Sequence, residues 1–192
     1  MSKVSMHISN DFCPQTLFVY GTYKEDGTPD FGLFCWFSYI WDKELGVMAC
    51  IGGEKLTKQR IHATGIFSAN LVTEDMLALA DYFGNKDGHF PEKMNLPLEV
   101  EKGSVLNVPV LSCSPYVFEL EVKQYIPLDG GEVMLCRIRN VLADEQLADQ
   151  SKSIEQRIQE LAPIHTTCQT YFSWDGKAVG KWGEPQRSIK NK

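Results

Sequence analysis

The sequence predicts a mostly β fold: an antiparallel barrel with a few helices at its ends. Three observations carry this. Apolar, strand-like runs recur along the chain, at 16–23, 31–40, 45–51, 66–72, 105–111, 116–126 and 133–142. Short polar turns such as Lys24-Glu25-Asp26-Gly27 and Leu128-Asp129-Gly130-Gly131 separate several of them, as hairpin connections do. Only two or three stretches have helical spacing, so the helices flank the strands rather than alternate with them.

Residues 1–14 have no clear period and are closed off by Pro14. After the strand at 16–23 and a polar turn, residues 31–40 are apolar on both alternating faces, which predicts cover on both sides. A second buried run at 45–51 lies between Asp42-Lys43-Glu44 and Gly52-Gly53. Thr57 suits the N-cap of a helix over 58–63, which Gly65 ends. After strand 66–72, a helix is expected from Thr73, with Met76, Leu77, Leu79, Ala80 and Phe83 at helical spacing and Gly84 as its stop. Residues 85–97 form a long loop holding His89 and Lys93; such loops in compact folds are more often functional than neutral. In 116–126, Glu119, Glu121 and Lys123 alternate with Phe118, Leu120 and Val122, which predicts one wet face. Residues 144–161 are polar and helix-prone, with Ile154, Ile158 and Leu161 on one side and Pro163 beyond. A short aromatic segment at 170–174 and a basic tail after Trp182, expected to be mobile, complete the chain.

With 192 residues, 43% hydrophobic and 23% charged, the chain fits one globular domain with peripheral tails at 1–14 and 183–192. A net charge of −6 argues against a partner bound through its phosphate backbone, so no nucleic acid is expected. There is no apolar run of about 18 residues and no signal-peptide core, so no membrane partner is expected. The six cysteines form no C-x-x-C pair, and Cys35, Cys50, Cys113 and Cys136 lie in apolar runs, as free thiols of a cytoplasmic protein do. No histidine pair has metal-ligand spacing, and neither G-x-G-x-x-G nor G-x-S-x-G occurs.

One local pattern points to an anion. Lys55, Lys58 and Arg60 crowd the predicted helix start, where acidic residues would be the stabilising choice. Phosphate held by free N–H groups, the Thr57 hydroxyl and basic side chains would account for them. The alternative is a solvated surface cluster, the default for Lys58.

The order of V-Y-G-T-Y-K-E-D-G-T-P-D, C-W-F-S, K-L-T-K-Q-R-I and T-G-I-F-S-A-N-L resembles the flavin reductase-like family of FMN-binding split barrels, within it flavoredoxin and the NAD(P)H:FMN oxidoreductases. The likeness is strongest over 17–83. It implies FMN as cofactor, NADH or NADPH as reductant, electron transfer to an unnamed acceptor, and a homodimer. Lys55, Thr57 and Arg60 become the phosphate cradle. Phe34, Cys35, Trp36, Phe37 and Ser38 become the ring platform. Barrel core is the preferred reading for Phe34 and Phe37, and Trp36 matches a flavin-contacting tryptophan. Lys93 matches a loop lysine at the flavin, and Tyr171 is a further candidate for which core packing is the default. Two positions depart from the pattern: Asp30 stands where Asn is frequent, and Glu132 where a histidine is expected. The competing readings are a non-enzymatic FMN-binding electron carrier or storage module, and a barrel without FMN that serves interaction alone.

Overall fold

A computed structural model describes residues 3–173 and 178–189. Its elements, in chain order, are β1 (Gln15–Thr16), β2 (Phe18–Tyr23), β3 (Pro29–Phe34), β4 (Phe37–Asp42), β5 (Glu44–Gly52), α1 (Leu56–Thr64) and β6 (Ile66–Leu71). There follow α2 (Leu77–Asn85), a 3-10 turn at Pro91–Met94, β7 (Val100–Lys102), β8 (Pro109–Leu111), β9 (Tyr116–Leu128) and β10 (Gly131–Ala143). Last come α3 (Glu145–Ala148), α4 (Ile154–Leu161), β11 (His165–Thr166), β12 (Thr170–Phe172), β13 (Ala178–Lys181) and a 3-10 turn at Pro185–Ser188. The fold is mostly antiparallel β with few helices, as expected.

The main sheet has seven strands in the order β3-β2-β6-β9-β10-β5-β4, every neighbouring pair antiparallel. Its two edges, β3 and β4, are consecutive in the chain, with only Cys35 and Trp36 between them. In a flat sheet, six strand spacings would part the edges by about 29 Å. Three residues of chain, from Phe34 to Phe37, reach about 11 Å at most. The sheet must therefore curl until its edges meet. Aromatic rings fill the gap: Phe37 of β4 lies 4.2 Å from Phe18 and 6.5 Å from Tyr20 of β2. No ladder joins β3 to β4 among the described residues, so the barrel is split along this seam.

Strand period sorts β2 between two cores. Phe18 and Tyr20 face inward with Val47, Ile51, Phe67 and Leu120. Leu17 and Val19 face outward beneath Phe31, Ala80, Phe83, Leu111 and Tyr171. The four-stranded sheet β1-β11-β12-β13 and helix α2 cover that outer face.

Several elements differ from the sequence pattern. The run 31–40 is two strands, and β4 leaves Tyr39 and Trp41 54% and 77% exposed instead of covered on both sides. The N-cap of α1 is Lys55, and Thr57 is buried inside the first turn; the helix does end at Gly65, whose φ of +72° places it in the left-handed region. Helix α2 starts at Leu77, because Thr73 is held in a bridge to Pro163, and it runs through Gly84 to Asn85. A side chain at Gly84 would meet Leu33 and Trp182 at 2.9 Å, so close packing explains this glycine. Only Pro109–Leu111 of 105–111 is strand. Residues 144–161 hold two short helices, the second started by a Ser153–Gln156 capping box.

The expected wet face of β9 is wrong at Glu119, which is fully buried. Its carboxylate accepts the backbone N–H groups of Ser104, Val105 and Leu106 and the amide of Asn140. The loop before β8 thus folds over it. The segment after Trp182 is also held: Gly183 and Gln186 donate their N–H groups to the buried Asp81 of α2. Of the aromatic segment 170–174, Trp174 lies outside the described residues, as do residues 190–192 of the tail.

Candidate functional site

A cleft of about 350 Å³ opens where β3, the start of α1, the end of α2 and the 86–93 loop converge. Asp30, Phe34, Lys55, Thr57, Lys93 and Trp182 are among its lining residues. Why an anion would suit one end follows from α1. Lys55 is extended (φ −141°, ψ 144°), no side chain caps the helix, and its first turn carries no acid. The N–H groups of that turn have no side-chain cap, and the positive end of the helix sits beside a lysine.

The floor of the cleft is ionic. Lys93 Nζ lies 3.1 Å from Asp30 Oδ1, with the two side chains 3% and 0% exposed. Burial pushes the Lys93 ammonium below its ordinary range, and Asp30 opposes that shift. Lys93 also lies 6.0 Å from the centre of the Phe83 ring. Thr57 Oγ1 is 3.5 Å from Asp30 Oδ2, at the outer limit of a hydrogen bond. Two glycines permit this crowding. A Cβ at Gly32 would meet Thr57 Oγ1 at 2.8 Å, and one at Gly88 would meet Asp30 Oδ2 at 2.9 Å.

Phe34, Lys55, Thr57 and Lys93 are therefore brought together, and the other sequence candidates are not. Arg60 turns away to the β2–β3 hairpin, donating to the Tyr23 carbonyl at 3.0 Å and pairing with Glu25 at 2.9 Å. Lys58 pairs with Glu54 instead of standing free in solvent. Trp36 is 46% exposed and lies over Gly52, where a Cβ would approach its ring to 3.2 Å. Phe37 and Ser38 line a separate apolar groove shared with α4. Cys35 faces Cys168. Tyr171 is in the core, its hydroxyl donating to Asp81 at 2.6 Å; burial and that carboxylate push its ionisation well up.

Three features escaped the sequence reading. Trp182, the residue before the presumed tail, walls the cleft, 5.9 Å from the Tyr171 ring. Asp30, singled out as a departure, is the buried partner of Lys93. Glu132, the other departure, meets a histidine from another element: His62 Nε2 of α1 lies 2.6 Å from Glu132 Oε2, and its ring stacks on Tyr125 at 4.3 Å. No local signal links residues 62 and 132; α1 is brought there by contacts across the chain, the Tyr125 hydroxyl of β9 donating to the Ile61 carbonyl at 3.1 Å.

Comparison with solved structures returns the same architecture. Flavoredoxin from Methanosarcina acetivorans superposes with a TM-score of 0.77 at 18% identity, covering 95% of this chain and 94% of that one. Flavoredoxin of Desulfovibrio vulgaris (Miyazaki F) gives 0.76 at 21% identity, covering 94% of each chain. An FMN-binding protein from Thermus thermophilus, solved with bound p-hydroxybenzaldehyde, gives 0.72 at 16% identity, covering 90% of this chain and 93% of that one. Comparison with curated protein sequences returns no match. The family described as flavin reductase like domain matches residues 10–159, which span the seam, α1 and the Asp30–Lys93 pair. The split sheet is thus shared with flavoredoxins, and the chain belongs to the flavin reductase-like family.

Proposed function

We propose that the chain binds FMN in this cleft and acts as an NAD(P)H-dependent flavin reductase or oxidoreductase of the flavoredoxin kind. The observation that carries the reading is the cleft itself, which joins an uncapped helix start beside Lys55 to the aromatic side chains Phe34 and Trp182. The donor set fits the cofactor. Lys55 and the first-turn N–H groups of α1 would hold the phosphate. Phe34 and Trp182 would offer apolar faces to a ring, above a floor sealed by the Asp30–Lys93 pair. FMN, when bound, supplies hydride acceptance and electron transfer. Lys93 contributes less free charge than a lone loop lysine would, because Asp30 neutralises it.

Titration of the protein with FMN, followed by absorbance and tryptophan fluorescence, tests the binding. Anaerobic NADH or NADPH then tests the reductase, which bleaches the bound flavin. Bound FMN left unbleached by either nucleotide assigns a non-enzymatic electron carrier. No binding at all refutes the cofactor and leaves an interaction module.

The homodimer rests on the resemblance and on β4. This edge strand exposes Tyr39 and Trp41, next to the exposed Trp36, in a strip that a second copy would cover. Sedimentation equilibrium at micromolar concentration is expected to give twice the monomer mass, and Trp41→Lys to halve it. We place the protein in the cytoplasm on its cysteine usage; all six are unpaired.

A further inference from the structure

Two cysteines 133 residues apart in sequence meet at the seam. Cys35 Sγ and Cys168 Sγ are 3.5 Å apart, in van der Waals contact and part-buried. Cys35 opens the two-residue link between β3 and β4, and Cys168 lies in the tight turn between β11 and β12. That turn is built without any help from the thiol. Thr167 N–H donates to the Thr170 carbonyl at 3.2 Å, Thr166 Oγ1 donates to the same carbonyl at 3.1 Å, and Cys168 N–H donates to Thr166 Oγ1 at 2.9 Å.

Cys168 nevertheless has φ +68°, the left-handed conformation in which glycine or asparagine is the low-cost choice. The turn accounts for the backbone, since a two-residue hairpin loop closed by the Thr167–Thr170 bond takes a positive φ at its first central residue; what is particular is that a cysteine and not a glycine stands there. Here the conformation presents the sulfur to Cys35. The other four cysteines have no such sulfur contact among the described residues.

We propose that Cys35 and Cys168 form a dithiol–disulfide couple that reacts with small-molecule disulfides. In the first step the Cys168 sulfur attacks a disulfide R–S–S–R. A mixed disulfide Cys168–S–S–R forms, one R–S–S–R bond breaks, and one R–SH leaves with the thiol proton. In the second step the Cys35 sulfur displaces the remaining R–S group from Cys168, and its own proton leaves with that second R–SH. The sum is two protein thiols plus one disulfide giving one protein disulfide plus two small thiols, a two-electron oxidation of the chain. Burial and the neighbouring Cys168 push the Cys35 thiol up to about 12, which disfavours its attack on a disulfide from solution and leaves it the second, intramolecular step, where the 3.5 Å sulfur contact supplies the proximity.

The bridge would tie the seam to the β11–β12 turn. Phe34, which lines the cleft, is next to one end, and Tyr171, which grips Asp81, is three residues from the other. The couple uses the chain's own thiols and stands apart from any bound flavin.

The test uses the full chain in native buffer containing glutathione at ratios from fully reduced to fully oxidised. Samples are quenched with acid, alkylated and weighed, then mapped by proteolysis. The expected result is a reversible loss of two alkylatable thiols out of six, with the peptides of Cys35 and Cys168 joined. The oxidised wild type should also melt about 5 °C or more above the reduced form, since closing a long loop restricts the unfolded chain. Cys35→Ser should abolish the cross-link and leave a glutathione adduct on Cys168, Cys168→Ser should abolish it and leave Cys35 unmodified, and Cys13→Ser should keep it. Six alkylated thiols in the most oxidising wild-type sample, or a different pair as the main cross-link, would overturn the proposal. The wild-type measurement stands even where a serine variant fails to fold.

Discussion

Lys93→Met puts the cleft floor to the test. The substitution keeps a long apolar stem but leaves the Asp30 carboxylate fully buried with no cation beside it. Removing one partner of a buried pair costs about 3–5 kcal/mol, most of it from the stranded charge. Against a typical total stability of about 5–15 kcal/mol this is a large fraction. For a chain of this size it corresponds to a fall in Tm of roughly 6–20 °C. The companion variant carries Asp30→Asn as well, so no formal charge remains buried. It should recover about 2 kcal/mol or more of the loss. Urea unfolding of both single variants, the double variant and wild type gives the coupling directly, provided m is unchanged. A pH series adds a second readout. The folded Lys93 pKa lies below the unfolded one, so between the two the unfolded chain binds more protons. Wild-type stability should therefore rise with pH through that window, which closes at about 10.4, and Lys93→Met should lack that rise. A folded Lys93→Met that loses under about 1 kcal/mol would show that solvent or a rearranged partner reaches Asp30, and the sealed-floor reasoning would fail.

Other perturbations separate the remaining elements. Lys55→Ala with Thr57→Ala should weaken FMN binding roughly 10- to 150-fold, the worth of about 1.5–3 kcal/mol of charge-assisted bonding; Arg60→Ala, whose side chain turns away to Tyr23 and Glu25, should change it less than about 2-fold by the same titration. Glu119→Gln should cost about 1.5–3 kcal/mol in urea unfolding at neutral pH. Burial acts to raise the Glu119 pKa, but Asn140 and the three backbone donors outweigh it, and the folded value is lowered. Its stabilisation is therefore present above the unfolded pKa of about 4.3 and lost as pH falls through the folded value, a slope that Glu119→Gln should remove. Gly65→Ala should cost about 1 kcal/mol, because the residue must keep φ +72° to close α1.

What the sequence made legible was what local pattern encodes. The strand runs that became β2, β9 and β10 and the Gly65 stop were all readable from neighbouring residues. The K-L-T segment and Lys93 could be named because order and spacing carry a resemblance. The illegible parts share one cause: each depends on a contact across the chain. Glu119 alternates like a solvent-facing residue, and only the loop at 103–106 folding onto it makes it a buried acceptor. Trp36 and Trp182 show the same limit. Both are large aromatics near glycines, yet Trp36 lies over Gly52 while Trp182 reaches the cleft across Gly84.

The placement of Trp182 follows from a single buried carboxylate. Asp81 on α2 accepts the Tyr171 hydroxyl from β12 and the N–H groups of Gly183 and Gln186 from the final segment. A fully buried carboxylate is tolerable only when such donors surround it. The chain after β13 is therefore drawn onto α2, and Trp182, one residue before the first of these N–H groups, is set against Gly84 at the cleft. The same helix end leads into the 86–93 loop that carries Lys93. The phosphate end and the aromatic wall of the cleft thus depend on different scaffolds. α1 sets the first through its own uncapped turn, and Asp81 sets the second at a distance. Asp81→Asn, which removes the charge but keeps an acceptor, should loosen the Trp182 wall while leaving the α1 turn intact. Its signature would be weaker FMN binding with inorganic phosphate affinity unchanged. Equal loss of both would mean that α2 also supports the helix start, and that the two ends of the cleft form one cooperative unit.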